Sequence, residues 1–173
     1  LNNGNLLIGG NLSSIGLSGS RVAVFNFDGS VDRSFLNLNP IGGVHYTSNV
    51  YCVAPMRNGY LVGGRIVSVG SETRNFIAKF LSDGSLDLSY NPNADNTVTD
   101  IVLLPDGKSL ISGSFTSIGG VARRSLARLN ADGSLDTEFN ANIPSGYVED
   151  IVIQPDGKII ISGTFTSVYS TTK

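Results

Sequence analysis

The chain has 173 residues, of which 40% are hydrophobic and only 15% charged, a composition typical of a folded rather than a disordered protein. Its net charge of −2 gives no electrostatic basis for binding nucleic acid or an anionic membrane, and no stretch approaches the roughly 20 apolar residues of a membrane span. The single cysteine, Cys52, excludes an internal disulfide framework and a zinc site built from several cysteines.

Read in chain order, the sequence repeats a unit about 50 residues long. The repeats run roughly over 1–40, 48–93, 96–142 and 147–173. The first unit opens on "NNGNLLIGG" and lacks its first strand, whereas the last stops after its second strand. A glycine ends an apolar run in every unit, at Gly10, Gly64, Gly113 and Gly163. Because the chain begins at Leu1 in the middle of this pattern, we expect it to be a piece of a longer polypeptide.

The third unit shows the predicted strands most clearly. It reads "VTDIVLLP", Asp-Gly, "KSLISGSF", a connector "TSIGGVARR", then "SLARLNA", a second Asp-Gly and "SLDTEFN". Asp-Gly between apolar runs favours a tight hairpin with a type I′ turn, which needs positive φ at both central residues. Each complete unit is therefore predicted to be a four-stranded antiparallel sheet.

Two continuous apolar runs, residues 101–104 and 159–161, indicate strands that are covered on both faces. Four-stranded sheets stacked radially, each between two neighbours, meet that requirement. We predict an all-β fold: a β-propeller of four-stranded antiparallel blades of about 50 residues, present as about 3.5 repeats in one repeat region, 1–173. A closed ring needs about 4–8 blades. We therefore expect an open arc, or a ring completed by residues outside this chain.

The string "LPDGKSLISGSFTSIGGVARRSLARLNADGSLDTEFN" resembles the delta-60 repeat of bacteria, a family of predicted β-propellers of unknown function. The similarity extends over nearly the whole chain, although the first two units carry a degraded form of the motif. The resemblance implies large repeat proteins that are often secreted or attached to a surface. It supplies no catalytic residues.

Few residues suggest chemistry. The only histidine, His45, has no Ser or Cys partner at a recognisable nucleophile position, and Cys52 lies in a predicted inner strand. Asp100 and Asp150 occupy equivalent positions in first strands, where they would line a central channel and hold a cation or contact water.

The Asp-Gly-Ser strings place carboxylates four residues apart, which suits local turns better than calcium. No cofactor is expected, and calcium is the one ion that these strings leave open. The carboxylates concerned are Asp28, Asp32, Asp83, Asp87, Asp132 and Asp136.

Loop length gives a more useful signal for binding. The segment between the first and second units carries an insertion of about six residues relative to the later ones. This loop should emerge on the same rim as the connectors, opposite the Asp-Gly turns, and insertions in repeat proteins collect on a binding face. Tyr and Arg are common interface residues. The predicted binding residues on this rim are His45, Tyr46, Arg74, Arg123, Arg124 and Tyr147.

These observations favour a non-catalytic scaffold or recognition module of an extracellular, cell-surface or virion protein, such as a tail fibre, which binds a protein or a glycan. Two alternatives remain open. One is part of a propeller enzyme, a glycosidase or lyase, whose site lies in further blades. The other is a calcium-stabilised structural array. Because a fold does not fix a function, the choice depends partly on analogy.

Overall fold

A computed structural model of the chain describes residues 5–10, 12, 21–32, 49–141 and 143–168. All the regular elements in these ranges are β-strands. Within the described residues, no helix is long and apolar enough to cross a membrane. The strands, in chain order, are β1 Leu6–Gly9, β2 Val22–Phe25, β3 Asn49–Met56, β4 Gly59–Arg65, β5 Ser68–Val69, β6 Glu72–Thr73, β7 Ile77–Leu81, β8 Val98–Leu103, β9 Ser109–Gly113, β10 Ser117–Ile118, β11 Val121–Ala122, β12 Leu126–Leu129, β13 Val148–Ile153 and β14 Ile159–Gly163.

The strands form small antiparallel sheets that follow the predicted units. The second unit holds the sheet β3-β4-β7 and the third the sheet β8-β9-β12, while β1-β2 and β13-β14 represent the first and fourth units. In the second and third units the fourth strand is shorter than predicted: one residue pair bridges it to the third strand, Phe80 with Leu86 and Leu129 with Leu135. It ends early because Asp136 accepts a hydrogen bond from the Glu138 N–H and bends the chain away.

The Asp-Gly turns adopt a different conformation from the predicted type I′. In the turn between β8 and β9, the Gly107 N–H donates to the Leu104 carbonyl and the Leu104 N–H donates to the Lys108 carbonyl. Only Gly107 has positive φ, at 85°, so the loop is a three-residue type I turn closed by a left-handed glycine. Asp106 instead accepts the Lys108 N–H on its carboxylate, at 3.0 Å. The aspartate therefore stabilises the turn as an acceptor and not through its own backbone angle.

The predicted connectors between the second and third strands contain structure of their own. In the second unit β5 pairs with β6, and in the third unit β10 pairs with β11, each as a two-residue antiparallel hairpin. Gly119 and Gly120, at the tip of the second of these hairpins, both have positive φ. We call these elements the connector hairpins.

The core lies between successive sheets, as the continuous apolar runs predict. Every residue of β9 is buried, and its side chains alternate between two neighbours. Ile111 packs in the cluster shared with the second unit, whereas Leu110 packs against Val148 and Ile151 of the fourth. The sheets of the second and third units are therefore covered on one face by the unit before and on the other by the unit after, and these units depend on their neighbours for stability.

In the second, third and fourth units, the glycine at or near the end of the second strand is required by close approach of the backbone. A Cβ atom on Gly113 would lie 2.0 Å from the carbonyl oxygen of Thr97. The equivalent glycines, Gly64 and Gly163, face the carbonyls of Asn49 and Tyr147 in the same way. The repeated glycine seen in the sequence thus marks where the second strand meets the start of the first.

Candidate functional site

The connector hairpins and the linkers between units meet on one rim of the stack, which we call the connector rim. The Gly119 N–H donates to the Asn93 carbonyl at 2.9 Å, and the Ser125 hydroxyl donates to the Gly146 carbonyl at 3.1 Å. The Asp-Gly turns lie at the opposite ends of the strands. His45 and Tyr46 fall outside the described residues, and the described part of the connector rim belongs to the second to fourth units.

Arg74 and Arg123, two of the predicted binding residues, are engaged by the backbone of their own units. Arg74 is only 4% exposed and donates to the carbonyls of Thr73 and Asp87. Arg123 donates to the carbonyls of Ala122 and Thr137 in the matching arrangement. These guanidinium groups fasten each connector hairpin to the outer strand of its sheet, a role for which the fork of donors on Arg is well suited.

Arg124 differs from both. Its side chain is exposed and makes no hydrogen bond or ion pair with the described residues. It lines a pocket of about 280 Å³ at the junction between the third and fourth units. The other residues around the pocket come from the connector hairpin and from the linker that follows it: Thr116, Ala122, Arg123, Asn140, Ile143 and Pro144.

The matching place at the previous junction is arranged differently. Asn75, which lies 49 positions before Arg124, hydrogen-bonds through its side chain to Asn93 in the linker. At the later junction the linker reads "NIPSG". Its buried Ile143 lines the pocket beside Arg124. The two junctions therefore differ at this position: an asparagine bonded to the linker stands at the earlier one and an exposed arginine at the later one. The apolar Ile-Pro pair in an otherwise polar linker was the sequence signal for the pocket.

Tyr147 also lies on the connector rim, beside the start of β13, and its side chain is 39% exposed. Its backbone N–H faces the Thr164 hydroxyl at 3.3 Å, while the neighbouring Ser145 and Thr166 hydroxyls lie 2.8 Å apart. The structure thus places Arg123, Arg124 and Tyr147 on the rim of the same junction, whereas Arg74 belongs to the previous unit.

A second group of polar residues lies along the first strands. Cys52, Asp100 and Asp150 occupy the same position beside a β-bulge in β3, β8 and β13. The Asp100 carboxylate accepts hydrogen bonds from its neighbour Ile101 N–H at 2.8 Å and from Ile151 N–H of the next unit at 3.0 Å. It therefore bridges the third and fourth units.

The environment of these residues shifts their acidity. Burial raises the pKa of Asp100, against the lowering effect of the two N–H donors, and a hydrogen bond with the Asp150 carboxyl raises it further. Burial, and then the charge of Asp100, raise the pKa of the Cys52 thiol, which makes it a poor nucleophile.

The turn carboxylates are occupied by local donors. Asp132 accepts both the N–H and the hydroxyl of Ser134, and the same pattern holds at Asp28 and Asp83. Asp136 pairs with Lys108 at 2.7 Å and with Arg128 at 2.8 Å. No group of three or more His, Cys, Asp or Glu side chains suited to a metal ion occurs among the described residues.

Comparison with known proteins agrees with this architecture. No curated protein sequence matches the chain. A family model described as "Domain of unknown function (DUF5122) beta-propeller" matches residues 59–90, 104–139 and 154–172, which amount to half of the chain. Each matched segment begins at the turn before a second strand, and the two longer ones extend through the outer strand. The predicted β-propeller fold is confirmed, and the chain belongs to this family of β-propeller repeats.

Proposed function

We propose that this β-propeller module is a non-catalytic recognition unit that binds a protein or glycan partner at the connector rim. The observation that carries the proposal is the pocket beside Arg124, whose guanidinium group has no partner among the described residues. An exposed guanidinium over a concave surface suits a carboxylate or another anionic group, because it can donate two parallel hydrogen bonds.

The neighbouring residues support the same role. Ile143 and Pro144 give the pocket an apolar wall, and Thr116 adds a polar edge. Tyr147 lies on the same rim and offers a partly exposed aromatic ring of the kind enriched at interfaces. A mixed surface of this kind binds through a few oriented polar groups on an apolar base. The proposed activity requires no cofactor.

We further propose that the repeats are of the delta-60 type and that the module belongs to an extracellular, cell-surface or virion structural protein. The motif in the third unit supports the first part, because "PDGK", "GSFTS" and "RLNADGSLDTEF" stand there in full. The resemblance itself supports the second part, since it implies secreted or surface-attached repeat proteins.

The test is binding of the labelled chain to an array of neutral and acidic glycans and to immobilised acidic peptides. We expect Arg124→Ala to weaken binding about 10- to 100-fold, because a hydrogen bond to a charged group contributes about 1.5–3 kcal/mol. Arg57→Ala is the matched control: Arg57 is also exposed, but it lies in the turn between β3 and β4, at the opposite end of the strands.

Equal binding by the wild-type chain and Arg124→Ala would refute the proposed site. Equal losses in Arg124→Ala and Arg57→Ala would indicate that net charge, and not the pocket, is responsible. If neither glycans nor acidic peptides bind the wild-type chain, the recognition function itself is wrong. Arg124→Ala should leave the melting temperature unchanged because the side chain is exposed.

A further inference from the structure

The free hydrogen-bond donors of the pocket beside Arg124 belong to one side chain. The residues that line the pocket include the guanidinium groups of Arg123 and Arg124 and no carboxylate. Both terminal nitrogens of Arg123 already donate to carbonyls, those of Ala122 and Thr137. Arg124 therefore supplies the free donors, and its planar fork matches one carboxylate through two parallel hydrogen bonds.

Thr116 offers the pocket an acceptor and not a donor. Its hydroxyl donates to the Asp95 carboxylate at 2.5 Å, and its backbone N–H donates to the same carboxylate at 2.7 Å. Because a hydroxyl has one proton, only the lone pairs of the Thr116 oxygen remain for a ligand. A ligand that suits the pocket therefore carries a neutral hydrogen-bond donor, such as a hydroxyl group, in addition to its anionic group.

This combination disfavours a phosphate or sulfate group. Such a group has several acceptor oxygens and no donor, so it would meet the lone pairs of Thr116, whose hydroxyl is bonded to the charged Asp95. The fork of Arg124 also satisfies only two of its oxygens. A carboxylate places one charge and two oxygens on the fork and leaves Thr116 for a neutral donor.

The size and the apolar wall of the pocket suit a single ring. The volume is about 280 Å³, just below the range of about 300–1,000 Å³ that is typical of sites for drug-sized ligands. Ala122, Ile143 and Pro144 form the apolar part of the lining. The C–H face of a sugar ring loses contact with water when it packs on such a wall, which favours binding. A sugar acid thus has a matching group for each part of the pocket.

An acidic peptide fits this place less well. Peptides that bind through their main chain need a strand edge with unpaired backbone groups. At the pocket, the Ala122 carbonyl is occupied by the Arg123 guanidinium. Strand β10 pairs with β11 along one edge and is bridged to Ala94 along the other. The pocket therefore suits the end of a ligand better than a chain that passes through it.

We propose that the pocket beside Arg124 binds a sugar ring that carries one carboxylate, such as a uronic acid at the end of a glycan. The carboxylate lies on the Arg124 fork, a ring hydroxyl donates to the Thr116 oxygen, and the C–H face packs on Ile143 and Pro144. This inference rests on the proposed function and names the class of ligand for the same site.

The test is an NMR titration of the isotopically labelled chain with methyl glucuronide, followed on the Arg124 side chain and the Ile143 methyl groups. Methyl glucoside is the matched ligand, because a hydroxymethyl group replaces the carboxylate on the same ring. We expect the glucuronide to bind about 10- to 100-fold more tightly, and Arg124→Ala to remove this preference. Arg57→Ala, in the turn at the opposite end of the strands, should leave it unchanged.

Thr116→Val tests the neutral part of the site. The second unit has Val67 at this position, and the Arg74 N–H donates to its carbonyl as the Arg123 N–H donates to that of Thr116, so the fold accommodates valine there. We expect Thr116→Val to bind methyl glucuronide about 2- to 10-fold more weakly, because one hydrogen bond is lost. Thr116→Ser retains the hydroxyl and should bind like the wild type.

Two further probes separate the inference from the proposed function. Tighter binding of glucose 6-phosphate than of methyl glucuronide would overturn the inference in favour of a phosphate ligand. Tighter binding of Nα-acetylglutamate N-methylamide, lost in Arg124→Ala, would assign the pocket to an acidic peptide instead. Both results leave recognition at the connector rim intact.

Two other results also count against the acidic sugar. Equal binding of methyl glucuronide and methyl glucoside would show that the carboxylate is not recognised. A titration in which none of the four probes moves a signal at millimolar concentration would overturn the inference as well. The proposed function fails with it only if the arrays of glycans and acidic peptides also show no binding.

Discussion

The carboxylate of Asp136 provides the sharpest test of the energetics of a single unit. It is 4% exposed and lies between the Lys108 ammonium and the Arg128 guanidinium, at 2.7 and 2.8 Å. The hydrogen bond from Lys108 lowers the pKa of Asp136 to about 2 against the effect of burial, with further lowering by Arg128 and the Glu138 N–H. Asp136→Asn keeps an oxygen acceptor for that N–H and removes only the charge.

The size of the effect follows from the pKa. A fall from 3.8 to about 2 corresponds to roughly 2.4 kcal/mol, at about 1.4 kcal/mol for each pH unit. Both cations are partly exposed, so we expect solvent screening to reduce the loss in Asp136→Asn to about 1–2 kcal/mol at pH 7. Because the folded-state pKa is lowered, this contribution is complete above about pH 4 and disappears as the pH falls through about 2.

Urea unfolding of the wild type and Asp136→Asn between pH 2 and 7 measures the difference directly. The two stabilities should converge at the acid end of this range. A constant difference across it would refute the electrostatic origin and point to lost packing. Asp132→Asn serves as the control, because Asp132 bonds only to Ser134 in its own exposed turn.

Three other changes test the stack. Gly113→Ala should destabilise by at least about 2 kcal/mol, because its Cβ would lie 2.0 Å from the Thr97 carbonyl; chemical denaturation measures this. Leu110→Ala should lose about 2–5 kcal/mol by leaving a cavity between the third and fourth units, again in urea. Asp150→Asn should reduce the part of the pH dependence of stability that the raised pKa of Asp100 causes. Because this pKa is raised in the folded state, protonated Asp100 stabilises the fold at low pH, and that contribution is lost as the pH rises above the ordinary carboxyl range. Stability measured against pH should keep a residual slope, because burial of Asp100 remains.

Gly107→Ala is the matched comparison for Gly113→Ala. Gly107→Ala places a Cβ no closer than 3.8 Å to any atom outside its own turn, so it should incur only the left-handed backbone cost of about 1–2 kcal/mol. A loss as large as that of Gly113→Ala would show that the close approach is not the cause. For Leu110→Ala, a stability change below about 1 kcal/mol would contradict the packing between units.

The fold could be predicted from the sequence because the repeat, the apolar runs and the Asp-Gly strings are local signals that agree with one another. The turn type could not, since Asp106 serves as an acceptor to Lys108 and the sequence looks the same for both turn types. The neighbours Arg123 and Arg124 also look alike in sequence. Their difference depends on distant partners: Arg123 reaches the Thr137 carbonyl, whereas the linker beside Arg124 leaves it exposed. Long-range contacts of this kind decide which of two adjacent arginines can contact a ligand.

The junctions after the second and third units differ, because Cys52 and Gly63 stand where the third unit has Asp100 and Ser112. This difference bears on how such an array can change during evolution. A duplicated or exchanged unit keeps its internal strands, but its boundary must still suit the next one. A serine at position 63, as at position 112, would press its side chain into Val98. A carboxylate at position 52, as at Asp100, would lie in apolar surroundings. A unit can therefore take the place of another without loss of stability only where its boundary residues suit the unit that follows.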